Sequence, residues 1–180
     1  MKEIVCAGDP VLRSPAAEVP PEMFGSPALH ALVAEMVATM RAAPGVGLAA
    51  PQIGVGLRVI VVEDTDEHMS YLTAEQRAER ARVHLPLIAV VNPVLRPIGE
   101  RQATFPEGCL SVPGYAALVT RAFEVEVEGL TPDGAPLRLR AAGWPARIFQ
   151  HEVDHLLGTL YVDRMNTRSF ALVEGGSKPK

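Results

Sequence analysis

His151 and His155 stand four residues apart, with Glu152 directly after the first. Four residues make slightly more than one helical turn, so on an α-helix both imidazoles share a face and can reach one metal ion. A carboxylate beside the first ligand can approach a water at that ion. The pattern His-Glu-x-x-His therefore predicts two metal ligands and a proton-handling glutamate. The plainer reading is a helix that merely carries histidines, and the exit Leu156-Leu157-Gly158 does suit a helix end packed on a core. The complete five-residue match on helical spacing favours metal chemistry.

A catalytic site of this kind needs a third protein ligand and one open position. One metalloprotease branch extends the motif to His-Glu-x-x-His-x-x-Gly-x-x-His; this chain follows it through Gly158 and then carries Tyr161. Glu174 is a downstream alternative, beside the glycine-rich tail. Upstream stands Cys109, within Glu107-Gly108-Cys109-Leu110-Ser111, a stretch punctuated by glycine and proline where packing alone rarely needs a cysteine. One cysteine with two histidines is an accepted open metal site. The other cysteine, Cys6, reads as a small buried apolar residue.

The elements that must position these groups follow from periodicity and punctuation. Ser26-Pro27 predicts a helix start, and Leu29, Leu32, Val33, Met36, Val37 and Met40 an amphipathic helix ending before Pro44-Gly45. Gly45-Val46-Gly47-Leu48-Ala49-Ala50-Pro51-Gln52 nominally fits a dinucleotide-binding pattern. A helix precedes it where a strand is needed, and Pro51 interrupts the helix that should follow. It reads instead as a tight segment whose glycines admit a close neighbour, with the Gln52 amide at its end.

Leu57 to Glu63 and Leu87 to Val91 read as strands, the second stopped by Asn92-Pro93. Thr73-Ala74-Glu75-Gln76 is a capping box for a short helix in the polar segment 64–84. His30, His68 and His84 show no ligand spacing and read as solvated side chains. Phe105 to Gly114 is punctuated by proline and glycine, with Glu107 to Ser111 reading as a compact loop, and Leu118 to Arg121, Phe123 to Gly129 and Leu137 to Ala141 read as strands. Glu124, Glu126 and Glu128 alternate with apolar residues and predict a solvated acidic strand face. Pro145 opens the last helix, which runs through the metal motif to Gly158.

The chain has 180 residues, 48% of them apolar and 5% aromatic, enough for one domain with an aliphatic core. With no repeats or linker, the fold class is α+β: a single domain of mostly antiparallel sheets around the C-terminal helix, spanning 1–172, with a disordered tail at 173–180. A net charge of −4 argues against a general polyanion binder. Two cysteines argue against a disulfide framework and for a reducing compartment. No apolar run is long enough to span a bilayer, and the N-terminus lacks a signal-peptide core.

Three blocks in this order resemble the peptide deformylase family: Gly45 to Gln52, Glu107 to Ser111, and Gln150-His151-Glu152-Val153-Asp154-His155. The resemblance runs from Gly8 to Phe170, and the segments Gly143 to Ile148 and Tyr161 to Met165 look closest to the plant and animal organellar branch. Ala116 stands where many bacterial members carry an arginine.

The resemblance implies a metal-dependent hydrolase of linear amides that takes the formyl group from N-terminal formyl-methionine of newly made proteins. It implies that Cys109, His151 and His155 hold one divalent metal, Fe(2+) natively, with Zn(2+), Ni(2+) or Co(2+) as substitutes. It implies Glu152 as acid/base, with Gln52 and the Leu110 backbone N–H facing the oxyanion. Gly45, Val46 and Gly47 would bind the peptide backbone, and Gly108, Tyr115, Trp144 and Ile148 are candidate walls for the methionine side chain. Gln150 and Asp154 read as supports for the ligands.

The expected partners are nascent N-formyl-methionyl peptides. A ribosome contact through Arg164, Arg168, Lys178 and Lys180 is a further expectation, with no membrane and a monomer or homodimer. The expected location is cytoplasmic for a bacterial protein, or mitochondrial matrix or plastid for a processed organellar one. The competing readings are a zincin-type endopeptidase, which predicts a ligand downstream of His155, and a structural metal module, which predicts a fourth protein ligand.

Overall fold

The computed structural model describes residues 2–173. Its elements are α1 (Pro27–Ala42), β1 (Gly47–Ala49), β2 (Val59–Asp64), α2 (Ala74–Glu79), β3 (Leu85–Pro97), β4 (Gln102–Cys109), β5 (Val112–Ala122), β6 (Glu124–Leu130), β7 (Pro136–Ala142), α3 (Trp144–Leu156) and β8 (Ala171–Leu172). They form an antiparallel five-stranded sheet in the order β1-β2-β3-β6-β7 and a three-stranded sheet in the order β4-β5-β8. This is the single-domain α+β architecture that the element pattern predicts. Residues 174–180 of the expected tail lie outside the described residues, as do Glu174, Lys178 and Lys180.

The run Val59-Ile60-Val61-Val62 is apolar at every position because both faces of β2 are covered. Ile60 and Val62 pack with Phe149, Val153 and Leu156 of α3. Val59 and Val61 pack with Leu29, Met36 and Met40 of α1 on the other face. Successive strand residues point to opposite faces, so one strand serves two cores. The helix α1 starts as predicted, with the Ser26 hydroxyl accepting from the Leu29 N–H. Its methionines are fully buried filler.

The far end of the same sheet has only α3 above it. There Val125 and Val127 of β6 face the core, and the acidic row faces outward. That row is not simply solvated. Glu126 and Glu128 pair with Arg138 on β7, and Glu128 also pairs with Arg96 on β3, making a charge ladder across three strands. The arginines stand at the opposing register positions, which a single strand's alternation does not reveal.

Several expected boundaries shift. The strand expected at Leu87 to Val91 begins at Leu85 and continues through Asn92-Pro93 to Pro97. Asn92 takes a left-handed conformation at a register shift, and its amide exchanges hydrogen bonds with both backbone groups of Val19. Asparagine tolerates that conformation and proline is admitted at bulges, so the punctuation bends the strand without ending it.

The loop expected at Glu107 to Ser111 is the tip of the β4–β5 hairpin: strand pairing runs through Cys109, with a register shift at Gly108/Cys109, and only Leu110-Ser111 turns. Cys6 is exposed, not buried. The extended N-terminal segment docks through the Val5 and Ala7 N–H groups to the carbonyls of Gln52 and Ser111, and this alternation turns the Cys6 side chain outward.

Helix α3 is entered through Gly143, at φ +63° and ψ −127°, and left through Gly158, at φ +72°. A Cβ at Gly143 would also lie 2.4 Å from the Ala81 Cβ and 2.7 Å from the Arg80 carbonyl oxygen. Both backbone strain and a clash oppose any side chain here. Gly143→Ala is expected to destabilise the fold by more than about 2 kcal/mol, read as a lowered midpoint in urea. An unchanged midpoint would show that the 64–84 segment gives way freely.

Candidate metal centre

The fold brings the tip of the β4–β5 hairpin onto the middle of α3. One ligand atom each from Cys109, His151 and His155 lies within 4.8 Å of the others, and the Cys109 Sγ is 3.3 Å from the His155 Nε2. Glu152 is buried beside them. The helix supplies the histidines one turn apart, and the hairpin turn supplies the thiol, 42 residues upstream of His151.

The ligands are held by groups behind them. His151 Nδ1 lies 3.0 Å from Glu107 Oε2, so its N–H donates to the carboxylate and Nε2 is left for the site. Glu107 also accepts from Arg121 through both oxygens and from Arg147. Burial alone would raise the Glu107 carboxyl, but the Arg121 and His151 hydrogen bonds outweigh it and hold it well below the usual carboxylate range. Asp154 ties Arg121 to Arg164 on the outer side of the helix. Gln150 bonds both backbone groups of Ala122, clamping α3 to the end of β5.

The two imidazoles are driven apart. Burial pushes His155 well below the ordinary histidine value, helped by the charges of His151 and Arg121. Burial acts downward on His151 too, but the facing Cys109 and Glu107 overcome it and hold that ring well above its ordinary value. Ligation needs neutral imidazoles, so filling the site with a cation releases a proton.

Glu152 is the polar group with least support. Its Oε2 is buried and has no hydrogen-bond partner. Burial pushes its carboxyl up to about 7, with His151 and Arg121 pulling the other way. The close neighbour expected at the glycine segment is this carboxylate: a Cβ on Gly47 would lie 2.3 Å from the Glu152 Oε1. Gly47 is thus a glycine because Glu152 occupies its side-chain space. Gln52 is buried, its Oε1 accepting from the Ala49 N–H, which turns its amide NH2 toward Ser111 Oγ and Cys109 Sγ, at 3.3 and 3.6 Å. Leu110, in the turn after Cys109, faces Gly45, where a Cβ would lie 2.9 Å from the Leu110 Cδ1.

A cavity of about 710 Å³ opens onto this centre. Gly45, Val46, Gly47, Gly108, Tyr115, Trp144 and Ile148 all line it, as do Gln52, Cys109, Leu110, His151 and Glu152. All seven expected binding residues therefore come together. Strand β1 lies at the sheet edge, and Val46 accepts from the Glu63 N–H on its paired side. Alternation then directs the Gly47 backbone groups away from β2, toward the free edge, whereas the Gly45 N–H is taken by the Met40 carbonyl.

Glu107, Arg121, Arg147 and the cavity rim at His68, Tyr71 and Arg82 join the site without a role expected from the sequence. His68 is not a freely solvated side chain; its Nδ1 accepts from the Thr65 N–H within the folded 64–84 segment. His30 and His84 stay exposed, near Asp133 and Asp66. The signal for Arg147 was present: it stands one turn before His151, on the helix face that must be buried. Tyr161, in the place of a downstream ligand, is buried and donates to the Tyr115 carbonyl.

The donor set fits a divalent transition metal. One thiol and two imidazoles converge, Glu152 Oε2 is buried without a partner, and no fourth protein donor joins the group among the described residues. Replacing Glu107 by Gln removes the charge that orients His151 and balances two buried arginines. Metal affinity is expected to weaken by about 10–100-fold, measured by chelator competition. Affinity equal to wild type would mean that Glu107 supports the fold and not the ligand.

A sequence model of the Polypeptide deformylase family matches residues 1–171. Peptide deformylase 1A, chloroplastic, of Solanum lycopersicum is 50% identical over 99% of this chain and 65% of its own length. Peptide deformylase, mitochondrial, of Homo sapiens is 45% identical over 94% of this chain and 70% of its own length. The chain thus spans slightly less than two thirds of the tomato relative. An actinonin-bound crystal structure of a class I type b peptide deformylase from Acinetobacter baumannii superposes with a TM-score of 0.79 at 35% identity, covering 92% of this chain and 99% of that one.

Proposed function

Since the chain belongs to the polypeptide deformylase family, we propose that it hydrolyses the formyl group from N-terminal formyl-methionine of nascent peptides, releasing formate. The observation that carries this reading is the convergence of Cys109, His151 and His155 with a buried, unpartnered Glu152 carboxylate and the Gln52 amide in one cavity.

Cys109, His151 and His155 would hold a divalent ion, which when bound would supply Lewis acidity and lower the pKa of water to around 7. Glu152 takes a proton from the attacking water and returns it to the leaving amine. Its carboxyl, raised to about 7, can do both near neutral pH. The Gln52 NH2 and the Leu110 N–H donate to the oxygen that becomes negative. Such donors are each worth about 10²–10³ in rate.

The free edge of Gly45, Val46 and Gly47 accepts the peptide as an added strand. Gly108, Tyr115, Trp144 and Ile148 enclose the methionine side chain. Fe(2+) is the proposed native ion, with Zn(2+), Ni(2+) and Co(2+) as substitutes that one thiolate and two imidazoles also suit.

Relatives named for chloroplast, mitochondrion and bacteria make the organelle interior and the bacterial cytoplasm both consistent with this reading. No described helix is long and apolar enough to cross a membrane. A ribosome contact would draw on Arg168 among the described basic residues, because Arg164 is engaged by Asp154.

Iron- or nickel-loaded protein, kept anaerobic, is expected to release formate from formyl-Met-Ala-Ser and to leave the peptide bonds of Met-Ala-Ser-Lys intact. Glu152→Gln should keep its metal and lose about 10²–10⁴-fold in turnover. Absence of formate from metal-replete protein, or cleavage of the unformylated peptide, would sink the reading.

A further inference from the structure

The hairpin that carries Cys109 and the helix that carries His151 and His155 belong to separate parts of the chain, and something must set their spacing. Arg147 is the residue of α3 that reaches across to both strands of the hairpin. Its guanidinium donates to Glu107 Oε1 at 2.5 Å, to the Val119 carbonyl on β5 at 3.0 Å and to the Ala103 carbonyl on β4 at 2.7 Å. Its side chain is buried, as is that of Glu107.

The geometry matters because of where each partner sits. Arg147 precedes His151 by one helical turn, so the two share a face of α3. Glu107 precedes Cys109 by two residues on β4 and is itself bonded to His151. One planar cation thus bonds the helix that holds two ligands to the strand that holds the third, and to that strand's neighbour. A planar fork reaches three acceptors in fixed directions, which an ammonium point charge cannot do. Arg147 also lines the cavity, but its hydrogen bonds go to Glu107 and the two backbone carbonyls and to none of the three ligand side chains.

We propose that Arg147 is a positioning residue that sets Cys109 against His151 and His155, so that the three donors are preorganised for a metal. The proposal rests on the metal-site reading above, and its test is made without substrate.

Wild type, Arg147→Met, Arg147→Lys and a core control, Leu29→Ala, would be loaded with Co2+. Leu29 lies on α1 and is buried in the opposite core. Affinity is measured by chelator competition, thiolate coordination by the intensity of the sulfur-to-cobalt charge-transfer band, and folding by circular dichroism. Arg147→Met is expected to bind Co2+ about 10–100-fold more weakly than wild type, with a diminished charge-transfer band. Arg147→Lys should fall between the two, and Leu29→Ala should lose thermal stability with affinity and band unchanged.

Arg147 variants that keep wild-type affinity and band would overturn the proposal. So would an equal loss in Leu29→Ala, which would reduce Arg147 to a general stabiliser. If Arg147→Met does not fold, Arg147→Lys decides by the same readings. Wild-type protein that takes up no Co2+ would overturn the metal reading itself, and the proposal with it. Bound Co2+ without deformylation would count only against the substrate.

Discussion

The structure depends on one buried carboxylate. Glu107 is shared by Arg121, Arg147 and His151, three cationic or donor groups from a strand and a helix. Burying so many charges is costly, and only a nearly complete set of hydrogen bonds offsets the desolvation. Removing one member leaves its partners as uncompensated buried charges, which typically costs about 3–5 kcal/mol. The return is geometric. The same carboxylate that joins the hairpin to α3 also fixes which nitrogen of His151 is free for a ligand. Fold and site are therefore coupled at a single side chain.

A second constraint acts from the sheet side. Strand β1 brings Gly47 against the Glu152 carboxyl, where a larger residue has no room. That contact excludes water from a group that has no hydrogen-bond partner at its Oε2, and burial raises its pKa to about 7. The site thus combines opposite treatments of two carboxylates. Glu107 is fully bonded and held ionised as a support, whereas Glu152 is left unsupported and able to exchange a proton near neutrality. Environment alone assigns the two roles.

The 64–84 segment adds the outer part of the cavity. Arg82 is bonded to both oxygens of the buried Asp64, and Arg80 and Arg82 lie over the Trp144 ring. A polar, surface-like stretch is thereby anchored to the first turn of α3, and its His68, Tyr71 and Arg82 extend the wall of the cavity. The close packing of Gly143 on Ala81 belongs to the same docking.

Much of the site was legible from local pattern. His151, Glu152 and His155 declare themselves because helical spacing converts sequence distance into a shared face. Gly45, Gly47 and Gln52 were visible as a tight backbone segment ending in an amide. The helix ends at Ser26 and Gly158 followed from capping chemistry. Other features depend on pairings between distant residues, and local pattern carries no record of those. Glu107 to Ser111 reads as a loop because the glycines and prolines in and around it are turn residues, whereas strand pairing across the hairpin extends through Cys109. Cys6 looked buried by residue type and is exposed by its place between two docked backbone groups.

What the sequence by itself determined was the set of reactive groups and the helix that carries most of them, because both are properties of spacing along one chain. Only the tertiary structure decided that Cys109 meets those histidines in space, that Glu107 and Arg147 hold them together, and that Gly47 presses on Glu152. Those are contacts between residues tens of positions apart, and they exist only once sheet, hairpin and helix have packed.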